Sequence, residues 1–178
     1  MARRRGMTLG LAAASALALA APGTASAGDV VKVRDVCDPQ TFNDAFGPGT
    51  CVRESRSGGL VTLPEFLQAF PAGHRGWRFT DAKIDHGDAL DVRFDRGGEF
   101  HTFSRVLGPE FGPGCVKLVN ELMGLTGPPV IDCAKAFTDP AEFIGVGFPR
   151  TSVAGLDRGQ HRFICAIHPW MKSTVRVR

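Results

Sequence analysis

The chain gathers a thiol, an imidazole and a thioether into seven residues, Cys165-Ala166-Ile167-His168-Pro169-Trp170-Met171. Phe163, Cys165 and Ile167 share one face of a strand running in, and Val175 and Val177 share one face of a strand running out. Cys165 is therefore expected near a strand end, facing inward, with His168 and Met171 in the turn after it. A tight turn aims all three at one point. A fourth donor must come from elsewhere, and His101 in Glu99-Phe100-His101-Thr102-Phe103 is the candidate. Thiolate and thioether are soft ligands that favour copper over magnesium, calcium or manganese, and Met is not among the usual ligands of zinc. Two His, one Cys and a weak, long axial Met form the donor set of a mononuclear blue-copper site. Taken singly, His101 reads as a satisfied strand histidine, Met171 as core and Cys165 as a buried thiol. Their joint spacing is what points to a metal. His74, His86 and His161 lack such company, although His161 shares the alternation of Cys165.

The elements that must carry these residues are read from periodicity. From Trp77 onward apolar residues recur every second position: Trp77 and Phe79, then Leu90, Val92 and Phe94. Further strands are expected over 99–106, 152–156, 162–166 and 174–178, separated by Gly- and Pro-containing turns. Many short strands with such punctuation predict an all-β sandwich or barrel. Residues 108–150 read as an insertion with one short helix over 116–125, bracketed by Cys115 and Cys133. Residues 28–75 read as an N-terminal extension packed on the main domain, which spans 76–178. A strand is expected at 30–36. A short helix should succeed the Asp38 cap and Pro39, with Phe42 and Phe46 on one face. Thr62 caps a second helix, where Leu63, Phe66, Leu67 and Phe70 form one apolar stripe expected to pack.

Arg3, Arg4 and Arg5, the apolar run Met7 to Ala21 and Ala25-Ser26-Ala27 read as a cleavable export signal over 1–27. The run is too short to span a bilayer comfortably, so no stable membrane insertion is expected. Without its three arginines the chain has 18 basic and 18 acidic residues. Nucleic acid is not expected as a partner, because such binding draws on a standing positive excess. Export to the periplasm or cell exterior places the five cysteines where disulfides persist. Local pairing predicts Cys37–Cys51 and Cys115–Cys133, with Cys165 left free for metal; four cysteines allow three connectivities.

At the ligand string the chain resembles the cupredoxin (blue, type 1 copper) family, over roughly residues 76–178. His101-Thr102 matches the family's first His. The C-x2-H-x2-M spacing and the His-Pro-aromatic-Met order resemble the copper loop of amicyanin- and plastocyanin-like members. The resemblance implies a Greek-key β-sandwich and one type 1 copper ion held by His101, Cys165, His168 and Met171. Ile167 stands where those members carry Pro, and keeps a backbone N–H that could bond the Cys165 sulfur. The implied function is single-electron transfer between redox proteins by a monomer, with a docking patch near His168, Pro169 and Trp170. Trp170 is either a docking aromatic or a lid over the ligands. The alternative is extracytoplasmic copper storage, delivery or sensing. An enzyme is not expected, because the chain has no His-x-His for further copper and no Cys-x3-Cys for a binuclear centre.

Overall fold

The computed structural model describes residues 30–48, 51, 60–70 and 73–178. The expected export signal and the polar loop 55–59 lie outside these residues, as does the Phe46 side chain.

The first strand, β1 (Val30–Asp35), alternates so that Val31, Val33 and Asp35 face inward. Short strands come next at β2 (Trp77–Phe79) and β3 (Ala82–Ile84), then the long β4 (Leu90–Gly97). After β5 (Phe100–Thr102), β6 (Ser104–Arg105), β7 (Phe143–Gly145) and β8 (Arg150–Val153), the chain ends on the hairpin β9 (Gly159–Ile164) and β10 (Lys172–Val177). Two four-stranded sheets result, ordered β2-β1-β4-β8 and β3-β10-β9-β6, with β5-β7 as a separate pair. Val31, Val33 and Val92 of the first sheet share one core with Ile84, Phe163, Val175 and Val177 of the second. The protein is a β-sandwich, as the alternation predicts.

The segment expected to be an extension supplies an inner strand. β1 pairs antiparallel with β2 and parallel with β4. The β1–β4 register slips after Val33, so that Val33 faces Phe94 but Arg34 faces Arg96. Asp95 is the extra residue of a bulge, which bends the strand and re-aims the residues beyond it.

The single strand expected over 99–106 is two strands. β5 pairs with β7, whereas β6 pairs with β9 in the second sheet. The switch falls at Phe103, whose ring stacks on Phe163 at 4.3 Å between centroids. That stack holds the His101 strand against the Cys165 strand.

Two short helices pack near the hairpin end. In α1 (Pro39–Phe46), the Asp38 side chain accepts the Thr41 N–H. In α2 (Leu63–Ala69), Thr62 and Glu65 close a capping box. The expected stripe on α2 divides: Phe66 is buried, but Leu67 is 56% exposed. The insertion holds α3 (Lys117–Leu122), shorter than expected, and α4 (Cys133–Thr138), which periodicity did not indicate. Both expected disulfides, Cys37–Cys51 and Cys115–Cys133, are present, and Cys165 is free. The insertion forms a second small core, in which Ile131 and Ala136 pack with Ile164 and Ala166. The end of β9 is thereby covered on both faces.

Candidate metal centre

Cys165 lies just after β9, and Met171 just before β10. Because Ile164 pairs with Lys172, the residues 165–171 form the whole hairpin connection. Two backbone hydrogen bonds tighten it: Cys165 N–H donates to the Met171 carbonyl (3.1 Å), and Met171 N–H donates to the His168 carbonyl (2.8 Å). The insertion clamps the entry, since Cys115 N–H donates to the Ala166 carbonyl at 2.7 Å. From the other side, the Thr102 hydroxyl accepts the Ala166 N–H at 2.9 Å. His101, one residue before Thr102, is thus held beside the loop.

His101, Cys165 and His168 converge, with one donor atom of each within 4.8 Å of the others. The two Nδ1 atoms are 3.1 Å apart, and Cys165 Sγ lies 3.7 Å from each. This triangle fits one small cation. With lengths of about 2.0 Å to nitrogen and about 2.3 Å to sulfur, an N–metal–S angle near 120° separates nitrogen from sulfur by about 3.7 Å. An N–metal–N angle near 100° separates the nitrogens by about 3.1 Å. Met171, the fourth residue of the expected set, is fully buried at the far end of the same loop. His161 stands apart, with its ring nitrogens facing Arg105 Nη2 at 3.0 Å and the Asp157 carbonyl at 2.7 Å.

Burial sets the proton states. It lowers the His101 pKa to about 3 and holds His168 well below its usual range, with His101 adding to the effect. Both imidazoles are therefore neutral near pH 7, as metal ligation requires. Burial pushes the Cys165 thiol up, against backbone amides of Thr102, His168 and Ile167 that pull it down. The Ile167 amide, available because this position is not Pro, is thus among the groups that favour the thiolate.

Sequence reasoning missed Asp35. This residue is fully buried, with Oδ2 2.6 Å from His101 Nε2. Gly98 N–H donates to its Oδ1 (2.8 Å) and Glu99 N–H to its Oδ2 (2.7 Å). Burial raises its pKa to about 8 in spite of those two donors. The available signal was its place on the inward face of β1, after Val31 and Val33.

Of the residues in the expected docking patch, Pro169 and Trp170 are buried and His168 is half-buried. The reason is α2 and its flank: Phe66 and Phe70 meet the Trp170 ring edge-on at 5.0 and 6.0 Å, and Trp77 meets it at 5.7 Å. The Trp170 ring also stands 5.0 Å from the His168 ring. Beside it, Phe42, Phe66, Trp77, Val119 and His168 help line an apolar cleft of about 380 Å³. At the cleft, Leu67, Leu118 and Leu122 are 56%, 65% and 67% exposed.

No protein-family model and no curated protein matches the chain. Solved structures do. Oxidised plastocyanin from Dryopteris crassirhizoma is 17% identical, covering 60% of this chain and 91% of its own, with a TM-score of 0.36. A purple cupredoxin from Nitrosopumilus maritimus is 11% identical, covering 59% and 86%, with a TM-score of 0.34. A copper-containing nitrite reductase from Thermus scotoductus is 18% identical, covering 54% of this chain and 18% of its own, with a TM-score of 0.30. The donor geometry, rather than these likenesses, bears on function.

Proposed function

We propose that the protein is an exported, mononuclear type 1 copper protein that carries single electrons between redox proteins and is not itself an enzyme. The observation that carries this reading is the convergence of His101 Nδ1, His168 Nδ1 and Cys165 Sγ in a triangle sized for one ion. Met171, buried at the end of the same loop, would be the weak fourth donor. Bound copper supplies Cu(II)/Cu(I) chemistry at such a donor set. The chain's part is to hold the donors still. Strand pairing fixes His101, and the clamped hairpin fixes the other three, so little rearrangement accompanies a change of charge. Burial of Cys165 keeps the thiolate from water and from other thiols, which suits a carrier better than a delivery device. Electrons pass through His168, which lines the apolar cleft, and a partner docks over Leu67, Leu118 and Leu122.

Addition of Cu(II) to the protein tests the reading. An intense visible absorption band and a type 1 electron spin resonance signal are expected, with reversible redox cycling. Uptake of zinc with no coloured Cu(II) complex overturns it.

A further inference from the structure

We propose that Asp35 is the positioning residue of the metal centre: by accepting the Nε2–H of His101, it turns the Nδ1 lone pair towards the ion and locks the ring. This role rests on the copper reading of the site. A nitrogen that binds a cation carries no proton, so the single proton of a metal-bound His101 ring lies on Nε2. The atom facing Nε2 is Asp35 Oδ2, at 2.6 Å, and both side chains are fully buried. Metal-ligating histidines commonly hand their second N–H to a carboxylate, which fixes tautomer and ring orientation and raises basicity.

The surroundings are built around the carboxylate. Gly98 N–H and Glu99 N–H donate to its two oxygens, and His101 Nε2–H is the third donor once Nδ1 holds the ion. An ionised carboxylate accepts all three, whereas an amide must turn its NH2 towards at least one of them. Asp35 faces Gly97 across the β1–β4 ladder, just beyond the bulge. A Cβ at Gly97 would overlap the Asp35 carboxylate, and Gly97 has a φ of +137°, so this glycine makes the room. The first strand of the fold thus reaches the ligand set from 66 residues away.

Asp35→Asn tests the proposal. Cu(II) affinity should fall by about 10- to 100-fold, and the visible and electron spin resonance spectra should change with it. A purely structural role would lower Tm and leave the spectra alone, so native spectra and native affinity in a folded Asp35→Asn protein overturn the proposal. Should that variant fail to fold, the unmodified Cu(I) protein supplies the answer by 15N NMR. A slowly exchanging His101 Nε2–H is expected; rapid exchange at Nε2 overturns the proposal. Failure of the unmodified protein to bind copper overturns the copper reading and this inference together, whereas failure in the variant or at Nε2 alone leaves the copper reading intact.

Discussion

At Cys165 one atom decides the chemistry. A serine hydroxyl is not ionised near neutral pH and offers no soft donor, so Cys165→Ser should abolish the visible band of the Cu(II) protein, as absorption spectroscopy will show. Met171 is fully buried, and leucine is close to it in volume, so Met171→Leu should fold and keep the colour. Its reduction potential should rise, because losing a weak donor harms Cu(II) more than Cu(I); voltammetry measures this. Acid should destabilise the metal-free protein. Just below about pH 6.5 the unfolded chain takes up a proton on each of His101 and His168, which fold with lowered pKa values. The folded chain holds one on Asp35, whose pKa is raised. The two imidazoles outweigh the one carboxyl, so the unfolded state binds more protons and stability falls as pH drops below about 6.5. Denaturant titrations at two pH values just below about 6.5 check the direction.

Among the elements, α2 joins the N-terminal residues to the ligand loop. Phe66 contacts Phe42, Trp77 and Trp170 with ring centroids 5.8, 5.5 and 5.0 Å apart. Phe66→Ala should cost about 3 kcal/mol, the usual scale for a buried Phe, seen as a lowered Tm. It should also bare Trp170 and His168, so that a chelator strips copper faster than from the unmodified protein. The capping box at Thr62 and Glu65 was legible in the sequence because capping is local. What α2 would cover was not, since Leu67 belongs to the same stripe as Phe66 yet points to solvent. A stripe tells which side is apolar, and only the neighbouring surface decides how much of it is buried.

For the molecule as a whole, the proposed function turns on where an electron would enter. Trp170 is covered by α2, and the exposed apolar residues beside His168 at the cleft are those of α2 and α3. Leu122→Glu places a charge at a position 67% exposed. Spectra, potential and Tm should stay as they are, while the second-order rate of electron exchange with a redox partner falls severalfold, because such encounters are small and weak. Stopped-flow mixing measures that rate, and an unchanged rate overturns the proposed docking at the cleft.

The ligand candidates, the sandwich and both disulfides could be read from the chain because each rests on short-range pattern. Examples are the C-x2-H-x2-M spacing, the alternation of Leu90, Val92 and Phe94, and cysteine pairs bracketing compact segments. Tertiary structure alone decided that the strand expected over 99–106 would break at Phe103 and pair with two different partners. It alone decided that Pro169 and Trp170 would be covered. It alone brought Asp35 to His101. The inward face of β1 was visible in Val31, Val33 and Asp35, but the partner of a buried carboxylate is set by strand pairing. Here a parallel ladder between β1 and β4, shifted by one bulge, carries the carboxylate to an imidazole 66 residues away. Such contacts arise from how the sheet closes, and no local run of residues encodes them.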